Sequence, residues 1–292
     1  MPVELKTPVT IIGGYLGSGK TTLVNHLLRN ADGKRLAILV NEFGELQIDA
    51  DLIEAEDDDI ISLAGGCVCC SYGNDLIAAM IDMSKMDPRP DHIVLEASGV
   101  ALPTAIANSL SLMVDFSVDG VVVLADAETI MKRSKDKYMS DTVLRQLEDA
   151  DIILLNKIDV ISSETRKKTL NWLDELTART PVIETSRSAV PPAVILRDYD
   201  RSESSNGNIA HHANNHFSTD LVLPKDAVDP VQFAEKLIQE NYGLVRAKGF
   251  VKSIDGTMQT IQIVGKRVEI TQAPNEAETG VVTISIERFV EQ

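Results

Sequence analysis

The stretch that most narrows what this chain can fold into is Val9 to Val24, whose centre, Gly14 to Thr21, fits G-x-x-x-x-G-K-[ST] at every fixed position. Val9–Ile12 is a short β-branched run, and Leu23, Leu27 and Leu28 recur at helical spacing just after the pattern. A strand that turns sharply into a helix gathers backbone N–H groups around one point, where the helix N-terminus adds partial positive charge. Gly14, Gly17 and Gly19 leave room for phosphate to approach that backbone, because any Cβ would intrude. Ser18, Lys20, Thr21 and Thr22 complete the expected cradle, with Lys20 on the terminal phosphates and the Thr21 hydroxyl on a Mg²⁺ ion. A glycine-rich turn beside a surface lysine would mimic part of this pattern, but not all eight positions in a strand–helix setting. The stretch implies a nucleoside triphosphate site in an α/β fold.

The rest of the chain is consistent with that class. With 292 residues there is enough chain for one large or two modest domains. No apolar run approaches a membrane span, and the first residues lack a signal-peptide core, so the expectation is a cytoplasmic protein without a membrane partner. A net charge of −16 argues against a nucleic-acid partner, since little basic surface is left to neutralise phosphates.

Buried strands are expected at 35–41, 60–63, 92–95, 120–125, 151–155 and 181–184. Helices are expected at about 21–29, 74–84, 140–149 and 163–177. Alternation of this kind predicts a doubly wound, mostly parallel sheet with helices on both faces. Composition turns polar near residue 199, so the chain divides into a nucleotide-binding domain at 1–198, a histidine-containing linker at 199–216 and a small α+β domain at 217–292. In that last part Asp229-Pro230 is a good helix start, with Asp as N-cap and Pro at the first helical position.

Asn156-Lys157-Ile158-Asp159 directly follows a buried strand, where nucleotide loops of open parallel sheets belong. The Asp159 carboxylate can accept from the ring N–H and exocyclic amine of guanine, a donor pair that adenine lacks. Asn156 and Lys157 would brace the base and the phosphate loop. Thr185-Ser186, after the next strand, would suit a backbone contact to the guanine oxygen. Glu96 and Gly99 also sit at a strand end. Glu96 is expected to hold a Mg²⁺-bound water, and the Gly99 N–H to sense the γ-phosphate in a switch that moves on hydrolysis. No residue stands out as the one that orients the attacking water. Slow turnover is therefore expected, aided by a partner or by a second copy in a nucleotide-dependent homodimer.

All three cysteines, Cys67, Cys69 and Cys70, lie within four residues, which suits metal or redox chemistry better than a disulfide framework. Three thiolates suit Zn²⁺ or another borderline-soft divalent ion and leave one tetrahedral position open, as a cargo site needs. Small buried residues packing a helix start would be the plainer reading. Glu42 and Glu45 could add an oxygen ligand, and His211, His212 and His216 could pass metal by exchange.

Together, Gly13–Leu23, Val40–Glu45, Gly66–Cys70, Glu96-x-x-Gly99, Asn156-Lys-x-Asp159 and Leu244–Gly249 resemble the CobW-type metallochaperones, P-loop GTPases within the wider family of metal-insertion GTPases. The resemblance spans nearly the whole chain and makes the last part similar to the CobW C-terminal domain. It implies GTP hydrolysis with Mg²⁺, coupled to binding a metal at the G-C-x-C-C motif. The metal implied is Zn²⁺, or Co²⁺ in cobalamin-linked branches, delivered to a client metalloprotein or a cobalamin-pathway enzyme. The histidine-rich linker of many zinc members is reduced here to His-His-x-x-x-His. The competing reading is a nucleotide switch or small-molecule kinase with a structural zinc. Asn156–Asp159 argues against the kinase, as does the lack of an obvious acceptor-site lid.

Overall fold

In the computed structural model the described residues are 6–31, 33–40, 61–64, 74–177, 180–197, 216–241, 243–274 and 276–287. Seven strands form one parallel sheet: β1 (Thr7–Gly13), β2 (Leu36–Val40), β3 (Ile61–Ala64), β4 (His92–Glu96), β5 (Phe116–Asp126), β6 (Ile152–Asn156) and β7 (Val182–Thr185). Their spatial order is β3-β2-β4-β1-β5-β6-β7, which places β1 in the middle between β4 and β5. These strands read as continuous apolar runs because both faces are covered. Val9 and Ile11 point into one core with α2 (Asn74–Ser84), α3 (Pro103–Leu110), α5 (Ser140–Asp149) and α6 (Ser163–Thr177). Ile12, Val122 and Leu124 point the other way, towards α1 (Lys20–Arg29) and the short α7 (Pro192–Ile195). The single-turn α4 (Ile130–Arg133) follows β5.

The expected elements are present with ends shifted by a few residues: α1 opens at Lys20, β5 starts at Phe116, and His216 opens the first strand of the second sheet rather than closing the linker. Helices α3, α4 and α7 were not anticipated. The second sheet is antiparallel, in the order β11-β10-β9-β12-β8. Its strands are β8 (His216–Val222), β9 (Leu244–Lys252), β10 (Met258–Val264), β11 (Arg267–Gln272) and β12 (Gly280–Glu287), with α8 (Pro230–Glu240) on one face. The Asp229 carboxylate caps α8, accepting from the N–H groups of Val231 at 2.9 Å and Gln232 at 3.1 Å.

The two sheets share a core. Val245, Val264 and Ile286 pack among Val122, Ile152 and Ile195 on the α1 face. Beside them lies a buried charge cluster at the N-terminal ends of the parallel strands. Asp119 accepts from Arg197 Nε at 2.8 Å and from Arg246 Nη2, while Arg197 Nη2 also reaches Glu269 at 2.8 Å. Burial alone would raise the Asp119 carboxyl, but Arg246 and Arg197 outweigh it and hold the group well below the usual carboxylate range. Asp151 binds Arg267 Nε at 2.7 Å and the Val121 N–H at 2.9 Å; here burial wins and the carboxyl is raised. The joint between the sheets thus lies at the strand ends opposite those that carry the nucleotide motifs.

Candidate functional site

The chain leaves β1 at Gly13 and enters α1 at Lys20, so the expected phosphate loop lies at the C-terminal end of the central strand. Two glycines are there by steric necessity. Gly14 has φ +129°, and a Cβ on it would lie 2.4 Å from the Leu124 carbonyl oxygen; Gly19 has φ +107°, and a Cβ would lie 2.4 Å from Asn156 Nδ2. An L side chain at either would be strained in backbone and blocked in space. Lys20 is buried in the first turn of α1, at the positive end of the helix. The buried Ser18 hydroxyl has no hydrogen-bond partner among the described residues, a donor left for a ligand oxygen. Thr22 is exposed, one residue further along the helix.

Asn156 holds this loop from the side. Its Nδ2 donates to the Ser18 carbonyl at 2.8 Å and to Ser188 Oγ at 3.0 Å, and its Oδ1 accepts from the Ser188 N–H at 2.9 Å. Ser188 Oγ in turn donates to the Gly19 carbonyl at 3.0 Å. Three loops from three strand ends are thereby tied together. Arg187 and Ser188 both adopt φ 55°, a left-handed conformation that costs backbone energy and is held here by these bonds. Ser188 escaped the sequence reading, which stopped at Thr185-Ser186. The Ser186 hydroxyl is buried without a partner among the described residues.

Lys157, at φ 62°, opens a single 3₁₀ turn, Ile158–Val160, and its ammonium lies 2.8 Å from Asp126 Oδ2 at the end of β5. The turn leaves Asp159 exposed to solvent on the rim of the site. In the sequence Asp126 is visible only as the carboxylate at which a buried strand ends, a signal that could have marked it as a site residue.

Glu96 ends β4 beside β1, and its Oε1 accepts from Thr21 Oγ1 at 3.1 Å. Glu96 is buried and Thr21 partly so; a carboxylate and a hydroxyl are hard oxygen donors of the kind that fits Mg²⁺. Gly99 packs against the phosphate loop: a Cβ on it would lie 2.8 Å from the Leu16 backbone nitrogen. On the other side, Gln146 Nε2 of α5 donates to the carbonyls of Gly99 at 3.2 Å and Ala101 at 2.7 Å. Tyr15 of the loop lies under the Arg133 guanidinium, 4.5 Å from ring centroid to cation. The structure brings together Gly14, Gly17, Ser18, Gly19, Lys20, Thr21, Glu96, Gly99 and Asn156, with Lys157 and Asp159 alongside. Cys67, Cys69, Cys70, Glu42, Glu45, His211 and His212 lie outside the described residues.

Residues 8–184 match the family described as CobW/HypB/UreG, nucleotide-binding domain. The chain is 33% identical to the zinc chaperone CobW of a Sinorhizobium species over an alignment that covers 90% of this chain and 87% of that protein. It is 32% identical to the zinc-regulated GTPase metalloprotein activator 1 of Schizosaccharomyces pombe, over 68% of this chain and 50% of that one. Among solved structures, that of a zinc-bound triple mutant of the YjiA GTPase covers 97% of this chain and 95% of its own, with a TM-score of 0.50 at 23% identity, a likeness of fold.

Proposed function

This chain belongs to the CobW/HypB/UreG family, and we propose that it is a GTP-hydrolysing metallochaperone that carries zinc to a client metalloprotein. The observation that carries the reading is the convergence of the phosphate loop, the Thr21–Glu96 pair and the Asn156–Asp159 turn at one end of the central strands. Relatives named zinc chaperone and zinc-regulated GTPase metalloprotein activator support the metal and the nucleotide.

In this reading residues 1–198 bind and hydrolyse the nucleotide, 199–215 link, and 216–292 form the second unit. Asp159 accepts from the guanine ring, while the Lys157 stem, steadied by Asp126, flanks the base. Lys20 and the backbone N–H groups of the phosphate loop take up charge that develops on the γ-phosphate. Thr21 and Glu96 would hold Mg²⁺, which would supply positive charge against the triphosphate. Gly99 offers its N–H to the γ-phosphate and so reports whether the third phosphate is present.

Zinc, the cargo, is held by Cys67, Cys69 and Cys70, with Glu42 as a further oxygen ligand. The thiols belong to a reducing compartment, the cytoplasm. The cysteines stand in the chain between Thr21 and Glu96, so nucleotide and metal bias one segment. A client, or a second copy in a nucleotide-dependent homodimer, supplies the group that orients water.

Steady-state phosphate release tests the enzymatic half. GTP should be turned over in preference to ATP, and Asp159→Asn should lower GTP affinity by about 10- to 100-fold, the loss of one charge-assisted hydrogen bond. An unchanged preference for GTP over ATP in that variant would remove Asp159 from the base site.

A further inference from the structure

Gln146 sits where a core residue belongs. In α5 it lies between Val143 and Leu147 on the buried stripe, and it is itself only 2% exposed. A carboxamide at such a position costs desolvation unless its polar atoms are satisfied. Its Nε2 donates to two carbonyls of the loop that follows β4, Gly99 at 3.2 Å and Ala101 at 2.7 Å. That loop is otherwise a tight turn, with the Ala101 N–H donating to the Ser98 carbonyl at 3.0 Å. Its entry is fixed to β1 by the Ala97 N–H on the Ile12 carbonyl at 2.8 Å. The turn is therefore held from behind by α5 while Gly99 presses on Leu16 of the phosphate loop in front.

We infer that Gln146 is a positioning residue of the nucleotide switch: its carboxamide holds the Ser98–Ala101 turn against the phosphate loop, so that Gly99 meets a third phosphate without first having to be ordered. Gln146 touches no nucleotide itself. It acts through the Gly99–Val100 peptide, whose carbonyl it fixes and whose neighbouring peptide carries the Gly99 N–H. A preorganised donor spares the ordering cost that a loose loop would incur on binding. Because only the third phosphate meets this turn, the effect belongs to GTP and not to GDP.

The inference rests on the proposed role of Gly99, and the test separates the two. Affinities for mant-GDP and for a non-hydrolysable mant-GTP analogue are measured by fluorescence titration, with Mg²⁺, on the full chain. Gln146→Met keeps the volume and loses both donors. It should weaken the GTP analogue about three- to tenfold while GDP affinity stays within about twofold, as expected for loss of neutral hydrogen bonds. Should that variant fail to fold, Gln146→Asn, which draws the amide back by one methylene, carries the same readout. An equal loss for both nucleotides, or a lowered melting temperature with an unchanged GTP-to-GDP ratio, would make Gln146 a packing residue and overturn the inference. Gly99→Ala serves as the control, since its methyl would meet Leu16. If Gly99→Ala leaves the GTP-to-GDP ratio unchanged, the reading of Gly99 itself fails. If it shifts the ratio and Gln146→Met does not, only the inference about Gln146 fails.

Discussion

Replacing His92 with asparagine should remove a steep part of the protein's acid sensitivity. His92 is fully buried at the start of β4, its Nε2 2.8 Å from Thr10 Oγ1. Thr10 Oγ1 itself donates to the Ile195 carbonyl at 3.0 Å, so it accepts from Nε2–H. Nδ1 accepts from the Arg197 N–H at 3.2 Å, and a proton on Nδ1 would face that N–H head-on. Burial is the main cause that holds the imidazole neutral, lowering its pKa from 6.5 to about 3; Arg246 and Arg197 add to it against the pull of Asp119. Because the folded value lies below the unfolded one, the stabilisation is complete above pH 6.5 and is lost as the pH falls towards 3. The unfolded imidazole is half protonated at pH 6.5 and the slope steepens below it, so this one residue removes about 2 kcal/mol between pH 6.5 and 4.5. The assay is urea unfolding, followed by circular dichroism, at several pH values in wild type and His92→Asn. The Asn oxygen can still accept from Arg197, and the carboxylates titrate in both proteins, so the difference between the curves isolates His92. The wild-type advantage at neutral pH should shrink by roughly that amount on acidification. Parallel curves over this range would refute the reasoning.

Two further perturbations probe the joint and the site. Asp119→Ala leaves the buried guanidinium groups of Arg197 and Arg246 without their shared carboxylate; it should cost about 3–5 kcal/mol and split one thermal transition into two in calorimetry. A single transition at the wild-type temperature would mean the cluster does not hold the sheets together. Asn156→Ala removes the bonds to the Ser18 carbonyl and Ser188, and should weaken both GTP and GDP by about 10- to 100-fold, because the phosphate loop is shared by the two nucleotides. Titration of each nucleotide into the variant checks this, and a loss confined to GTP would contradict it.

The parallel sheet was legible because strands covered on both faces carry uninterrupted apolar runs, as in Ile152–Leu155 and Val121–Ala125. Helices α1, α2, α5 and α6 were legible from their spacing. Helices α4 and α7 are single turns, too short to show a period, and α3 buries little more than Pro103, Ala107 and Leu110, so its apolar stripe is faint. The glycines of the phosphate loop announce their own conformation; the partners that make Gly14 and Gly19 obligatory, Leu124 and Asn156, do not, being more than a hundred residues away in the chain. Charges at 119, 197 and 246 look like any surface charges in sequence. Only the fold brings them together, and with them the docking of the second sheet, which the polar stretch near residue 199 made look merely tethered. Gln146 was hidden for the opposite reason: a polar residue inside a helical stripe reads as a break in the pattern rather than as a hydrogen-bond donor to a loop.

The central claim is that nucleotide and metal act on one another, and linkage makes it measurable. Zn²⁺ is titrated, against a competing chelator at a pH where thiols ionise, into the nucleotide-free, GDP-bound and GTP-analogue-bound protein. If both ligands bias one segment, zinc affinity should differ between the GDP and GTP-analogue states by a coupling of about 1–3 kcal/mol, and zinc should change the affinity for the GTP analogue by the same factor. Replacing Cys67, Cys69 and Cys70 with serine should abolish that coupling and leave nucleotide binding in place. Identical zinc affinities in all three states would contradict the account and leave the cysteines as structure.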